Sequence, residues 1–510
     1  MKSIIYIAFA TMTAACTYAA PAYAQEDETP AVAPPASGSP TFQGNVAGRA
    51  RNSPTAPDSP YPIEAAGWGS PSGEFFTSRW VEDWSKLKAK GKAPPLKAMP
   101  LFGRDDINLT LSGEMRLRSL MYDNGGLHRD DNYHEFLFRA VAGADLHLGD
   151  HFRVYGEIAH GDTAGHGNPT VNSISSSYEN DLSVQQIFGE ARTNIGSVLV
   201  GVQGGRFEFS DGPKQLMSVS NGPNLHRTWN GGRFYLLTDK FRIGAFTGNT
   251  TRLGFGTFDE GINHGEKLQA LTSSIVLHHS NGTNIFFDPA FYHRYVVDGV
   301  AGTTTGPDHR NTYGARLWGK AGRVNFDVMG FRQTGDHIGR NVSAWMSSIS
   351  SNVLLSPKGI RPRIGFRVDL ASGGSGDIGK TGTVNGFDVV YQSTSYLSEG
   401  HLLGYTNLAL FSPTIAFTPL KRVTINAEYD LIRRMNQHDA FYAQGSKPYP
   451  GTANVRGFTV GTYGRLVAEW EATRNVSFEL EADRVSAGKV LHRANLPSSN
   501  FLLLSLDLRY

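Results

Sequence analysis

The stretch Ile107-Asn-Leu-Thr-Leu-Ser-Gly-Glu-Met-Arg-Leu-Arg118 alternates along its length. Ile107, Leu109, Leu111, Met115 and Leu117 share one parity, while Asn108, Thr110, Ser112, Glu114, Arg116 and Arg118 share the other. Successive side chains of a strand point to opposite faces, so the stretch has one apolar wall and one polar, charged wall.

The pattern returns down the chain. Phe136, Phe138, Ala140, Ala142, Ala144 and Leu146 oppose Glu135, Arg139 and Asp145. Val476, Phe478, Leu480 and Ala482 oppose Ser477, Glu479, Glu481 and Asp483, and Leu502, Leu504, Leu506 and Leu508 oppose Ser505, Asp507 and Arg509. About 18 such segments are expected, near 107–120, 133–147, 152–159, 182–193, 197–209, 231–237, 241–248, 269–280, 284–296, 311–319, 323–333, 341–354, 363–370, 405–417, 421–432, 456–472, 476–484 and 500–510.

Their connections alternate in length. Gly149-Asp150, Asn194-Ile195-Gly196, Thr238-Asp239-Lys240, Asn281-Gly282-Thr283, Lys320-Ala321-Gly322, Thr418-Pro419-Leu420 and Thr473-Arg474-Asn475 are short, and Ser356–Pro362 is somewhat longer. Between them fall long loops at 121–132, 160–181, 210–230, 249–268, 297–310, 334–340, 371–404, 433–455 and 485–499. Tight turns on one rim and long loops on the other predict an all-β, transmembrane, antiparallel up-and-down barrel, with short periplasmic turns and long extracellular loops. A soluble sandwich or propeller would show no such asymmetry, and its core would be apolar rather than lined with Glu and Arg.

Composition agrees. No run of ~18 apolar residues follows the N-terminal segment, so a spanning helix is excluded there. The apolar fraction of 40% is spread singly along alternating segments. Balanced charge, 48 basic against 46 acidic residues, argues against a nucleic-acid partner.

The N-terminus has the form of a secretory signal over residues 1–24: Lys2, an apolar run Ile4–Ala15, then Ala22-Tyr23-Ala24 before Gln25. The single cysteine, Cys16, lies within it, so a mature chain would hold no disulfide or thiolate site. Its context only faintly resembles a lipidation box. Residues 25–60 are rich in Pro and Ala and predict a disordered periplasmic leader. Residues 61–104 predict a short N-terminal periplasmic segment with a helix around Arg79–Leu87, and 105–510 the barrel. The final strand ends in Tyr510, an aromatic terminus of the kind the outer-membrane assembly machinery reads. Outer-membrane lipid is the expected surround.

A charge on the lipid side costs a few kcal/mol at mid-membrane, so the charged faces must line the lumen. Parity places Arg116, Arg118, Arg139, Arg153, Arg192, Arg233, Arg316, Arg367 and Arg465 there, with Glu114, Glu135, Glu157, Glu190, Asp369, Glu428, Glu469, Glu479 and Asp507. Arg206 and Glu208 conflict with their neighbours: Phe207 and Phe209 suit lipid, yet Val200 and Val202 share the arginine's parity. A bulge at Gly204-Gly205 would reconcile them. Guanidinium forks suit carboxylates, so an arginine track fits an acidic sugar polymer. Cross-strand pairing of balanced charges is the plainer reading of any single residue.

The sequence resembles the alginate export family of outer-membrane proteins. Arg79-Trp80-Val-Glu-Asp-Trp84-Ser and Pro95-Leu-Lys-Ala-Met-Pro-Leu101 are similar to its lead-in, and Leu111–Arg118 to its first strand. Gly205-Arg206-Phe207-Glu208-Phe209 with Gly222–Gly231, Ala371-Ser372-Gly373 with Thr383–Tyr396, and Arg433-Arg434 through Asp439-Ala440-Phe441-Tyr442 resemble later blocks. The resemblance covers residues 79–510 and implies an 18-stranded barrel with an arginine-lined pore for an anionic polyuronate. Arg116, Arg118, Arg206, Glu208, Arg434 and Asp439 are the positions it carries over. Parity and motif add Arg139, Arg192, Arg367, Asp369, Arg433 and Arg465 as pore-lining or substrate-binding candidates. One departure is the short late turn Thr473–Asn475, where the best-known exporters carry a long periplasmic gate.

The alternative function is a general or substrate-selective porin for small polar solutes. Catalysis is not expected: His278-His279-Ser280 is the only suggestive cluster, and it falls where a strand enters a turn. No metal or cofactor is expected. Loop carboxylates Asp123, Asp130, Asp131 and Asp377 could bind a divalent cation at the surface, but solvated charge is the preferred reading.

Overall fold

The computed structural model describes residues 75–82, 84, 93–165, 174–280, 282–393, 395–397 and 399–510. The signal and leader expected over residues 1–60 lie outside these. The strands in chain order are β1 (Met99–Leu101), β2 (Arg104–Asp123), β3 (Tyr133–Leu148), β4 (Phe152–Ala164), β5 (Asn180–Ile195), β6 (Val198–Phe207), β7 (Trp229–Leu237), β8 (Phe241–Arg252), β9 (Gly261–Ser280), β10 (Thr283–Ala301), β11 (Thr304–Ala321), β12 (Val324–His337), β13 (Arg340–Leu354), β14 (Arg363–Ala371), β15 (Leu408–Leu420), β16 (Val423–Arg433), β17 (Tyr442–Ala443), β18 (Lys447–Pro448), β19 (Thr459–Glu471), β20 (Val476–Ala487) and β21 (Ser499–Arg509).

Of the 19 strands in the main sheet, the three-residue β1 is a lead-in and the other 18 form a closed ring. Each pairs antiparallel with its neighbour in sequence, β16 passing directly to β19. The last strand closes on the first, from Glu114↔Arg509 to Asp123↔Asn500. β17 and β18 make a small separate hairpin inside one loop.

Closure leaves the lower half of the β2 edge unmet by β21, and an open edge invites wrong pairing. The lead-in covers it. Met99 pairs with Leu109, the Leu111 amide donates to the Leu96 carbonyl at 2.9 Å, and the Gly113 amide donates to the Tyr510 carbonyl at 2.8 Å.

Side-chain parity fixes the two walls. Leu117 is 49% exposed and its neighbour Arg116 is 1% exposed. Val154, Ile187, Val202, Phe234, Leu271, Trp345, Phe411, Leu466 and Leu504 join Leu117 on the outer wall. Arg139, Arg153, Arg316, Arg367 and Arg465 join Arg116 on the inner wall.

Three sequence expectations are corrected. The loops expected at 297–310 and 334–340 are strand: β10 and β11 pair through Ala301↔Thr304, and β12 and β13 through His337↔Arg340. Strands β9, β10 and β11 run 20, 19 and 18 residues, far beyond the ~9–11 needed to cross a bilayer. Above the membrane both faces meet water or polar loops, so the alternation that marks a strand disappears there. Of the helix expected over Arg79–Leu87, the described residues hold a 3-10 turn, Arg79–Val81, followed by the extended Glu82, and residues 83 and 85–87 lie outside the described residues. The loop expected at 485–499 holds a short helix, Lys489–Arg493, that packs on β19 and β20.

Candidate functional site: the barrel lumen

The lumen is crossed by its own loops. The β6–β7 connection, 208–228, runs between opposite walls. At one end Asp211 accepts from Arg242 Nη2 at 2.8 Å and Thr272 Oγ1 at 2.5 Å, and its carbonyl accepts from the Tyr292 hydroxyl at 2.9 Å. At the other end the carbonyls of Asn221, Gly222 and Pro223 meet β2. Arg116 donates to all three, at 3.0 Å to Gly222 and 2.7 Å to Pro223. Arg118 donates to the Gly222 carbonyl at 3.2 Å and lies 3.4 Å from Glu399. Arg139 pairs with Glu114 and lies 2.9 Å from Asn221 Oδ1 and from His226 Nε2.

The β14–β15 connection, 372–407, descends beside it. The Ser393 amide donates to the Lys214 carbonyl at 2.8 Å, and Tyr391 meets Trp229 edge-on at 4.8 Å. Arg294 of β10 anchors this loop through Asp388. On β14 and β16, Arg367 sits among Asp369 at 3.4 Å, Glu428 at 3.4 Å and Asp430 at 3.5 Å. Asp369 also accepts from the hydroxyls of Tyr396 and Tyr405. Arg465 lies 2.7 Å from Glu481 and 3.6 Å from Glu428. Most lumen guanidinia are thus matched by neighbouring carboxylates, as balanced composition requires of buried charge.

Other sequence candidates fall elsewhere. Arg192 is buried near the short-turn rim, donating to the Asp150 carbonyl at 3.2 Å. The bulge expected at Gly204-Gly205 is absent: β5–β6 and β6–β7 pair in unbroken register through both glycines. Arg206 therefore stays in phase with outward Val202, leaves the lumen face, and pairs with Glu260 at 2.9 Å beside the long-loop rim. Phe207 and Phe209, expected against lipid, are buried inside. Glu208 is also inside, 2.6 Å from His226 Nδ1. Arg433 is a second correction: it is exposed, 5.9 Å over the Phe458 ring, because it shares parity with outward Leu431.

Arg434 does face in. It makes five hydrogen bonds to carbonyls of the 434–458 loop: Asp439 and Thr452 at 2.7 Å, Val455 at 2.8 Å, and Gly457 at 2.6 and 3.2 Å. Asp439 accepts from the Ala440 amide at 2.7 Å, the Tyr442 hydroxyl at 2.6 Å and the Gly374 amide at 2.9 Å. The same Gly374 amide donates to Asp377 at 2.7 Å, and Asp377 also takes the amides of Asn385 and Gly386. Asp377 is therefore a turn-former rather than a solvated charge.

Burial and the Asp377 carboxylate beside it push the Asp439 carboxyl up to about 8. Asp377 is raised too, chiefly by burial. Both folded values lie above the ordinary carboxylate range, so the neutral forms favour the packed loops. That stability is full below ~4 and is lost as pH rises through about 8. Protease cleavage within 372–407 and 434–458 is expected to quicken between about pH 5 and 8 and level off above, with Asp439→Asn flattening the rise. A cleavage rate level across that range in the wild type would contradict this.

Sequence parity could not find the inward loops or the aromatic cluster they cover. Phe188, Phe207, Phe209, Trp229 and Phe246 share the lumen with the charges, with Phe209 stacked on Phe246 at 3.9 Å. Their parity was legible; what hid them was the assumption that the lumen is wet throughout. His278 Nε2 lies 3.0 Å from Ser280 Oγ, exposed at the end of β9, as a strand-end contact.

A closed antiparallel barrel with an apolar belt outside and charge inside is an outer-membrane transport channel. The chain belongs to the alginate export family, whose model matches residues 108–504. Family and fold are those of transport channels and place the protein in the Gram-negative outer membrane. Among solved structures, OccD3 (OpdP) of Pseudomonas aeruginosa is 11% identical, with 82% of this chain and 96% of that chain covered at a TM-score of 0.51. OccAB1 of Acinetobacter baumannii is 9% identical, with 79% and 96% covered at a TM-score of 0.50. At such identities the likeness is one of fold. No curated protein sequence matches the chain.

Proposed function

We propose that this channel passes an acidic saccharide, a uronate-bearing oligomer or polymer, along its β2–β3 wall. The observation that carries the reading is the trio Arg116, Arg118 and Arg139. They stand on adjoining strands, and two of them hold main-chain carbonyls of the crossing loop. Arg116 meets three carbonyl oxygens and no carboxylate among its hydrogen bonds. Those oxygens occupy the places that carboxylate oxygens of a passing uronate would take. A shift of the loop would hand the guanidinia to the cargo. Asp369, Arg367 and Arg465, on β14 and β19, serve as a charge-balanced flank of the same path. Export to this membrane by a signal cleaved after Ala24, and barrel insertion through the strand ending in Tyr510, belong to the same proposal.

A second reading, a selective porin for small polar solutes, is favoured by the carboxylate pairing of Arg139, Arg367 and Arg465. Currents through single channels in a planar bilayer separate the two. Mixed uronate oligomers are expected to block at concentrations at least tenfold below a neutral oligosaccharide of equal length, and Arg116→Ala with Arg118→Ala should erase the difference. Equal block by both sugars in the wild type would leave the porin reading.

A further inference from the structure

Residues 75–82 and 84, ahead of β1, lie inside the barrel. Trp80 is 3% exposed, and its indole meets Phe188 on the inner face of β5 edge-on at 5.6 Å. The same ring covers the guanidinia of Arg153 on β4 at 5.7 Å and Arg233 on β7 at 5.9 Å. Arg153 also donates to the Trp80 carbonyl. On the other flank Arg79 donates to the Tyr510 carbonyl at 2.8 Å and the Gly113 carbonyl at 3.4 Å. Thr77 and Arg79 border a small cavity closed on its far side by Asn224 and His226 of the crossing loop. The segment therefore abuts that loop from the periplasmic side.

What it covers is not built like a permanent core. Gln203 and Arg233 face each other in register on β6 and β7. Both are buried, yet Arg233 Nε and both polar side-chain atoms of Gln203 have no hydrogen-bond partner among the described residues. Buried polar groups are almost always satisfied, and an indole ring cannot satisfy these. Water entering in the segment's place would satisfy them. The segment's own hold is of a reversible kind: one 3-10 turn, the Arg79–Glu82 pair at 2.7 Å, and hydrogen bonds to wall carbonyls.

We propose that residues 75–82 and 84 form a displaceable plug that seals the periplasmic end of the lumen, with Trp80 as its stopper. This is independent of which solute the channel carries. Leu96–Leu101 stay on the β2 edge as the tether when the plug swings out.

Three proteins decide it in planar bilayers: the full mature chain, Trp80→Ala, and a deletion of 75–95 that keeps the edge-covering residues. Trp80→Ala is expected to lengthen open time at least tenfold, and the deletion to hold the channel open. A synthetic peptide of residues 75–95 should close the deletion channel from the periplasmic face and not from the other. A heat-dependent mobility shift on a detergent gel checks that each variant is a folded barrel. A folded deletion variant with the open time of the full chain overturns the plug. Should the deletion fail to fold, unchanged gating in folded Trp80→Ala overturns it equally.

Discussion

Arg367→Ala is expected to destabilise the barrel by roughly 3–5 kcal/mol, the cost of leaving buried charges without their partner. Arg367 is 1% exposed and faces Asp369, Glu428 and Asp430, all within 3.5 Å. No other cation reaches Asp369 or Asp430 in an ion pair among the described residues, whereas Glu428 keeps Arg465 at 3.6 Å. Removing the guanidinium leaves like charges crowded in a water-poor wall. The measurement is the temperature at which the folded band on a detergent gel converts to the unfolded one. Neutralising the acids left without a cation as well, with Arg367→Met, Asp369→Asn and Asp430→Asn together, should recover much of the loss, because the penalty lies in the unpaired acids. A single variant that melts with the wild type would show that the acids find water or protons at no cost.

Arg434→Ala should free the 434–458 loop while leaving the barrel intact. One guanidinium makes five hydrogen bonds to four carbonyls of that loop. Charge-assisted bonds contribute ~1.5–3 kcal/mol each in isolation, and a shared donor gives less than the sum. A local loss of ~3 kcal/mol raises the open population roughly a hundredfold. Proteolysis within 434–458 should quicken by that factor while the gel-shift temperature moves little. Arg434→Lys should fail to rescue, since an ammonium lacks the planar fork that spans separated carbonyls. Rescue by lysine would mean that charge alone holds the loop.

The barrel was legible in the sequence because bilayer physics forces a period of two on every crossing segment. Parity placed Arg116, Arg139, Arg367 and Arg465 on the inner wall, where they lie. It failed where its premise failed. Around His293–Asn311 the strands stand above the membrane, so no apolar face marks them. At Arg206 a bulge would let Phe207 face lipid, but the register is unbroken and Phe207 packs inside against Phe188 and Phe246. Arg433 belongs to a doublet motif, yet its parity points outward. The inward path of the 208–228 and 372–407 loops had no local signal, since loop carbonyls that receive Arg116 carry no mark in side-chain chemistry.

The grip of Arg79 sets an order of events. Gly113 lies on the first strand of the ring, and Tyr510 follows the last. The two come within reach of one side chain only once the ring has shut. That grip is therefore made last, although Arg79 precedes every strand of the ring in the chain. A barrel caught half-zipped offers Trp80 its seat on β4, β5 and β7 but not the double grip of Arg79, so that grip marks a finished molecule.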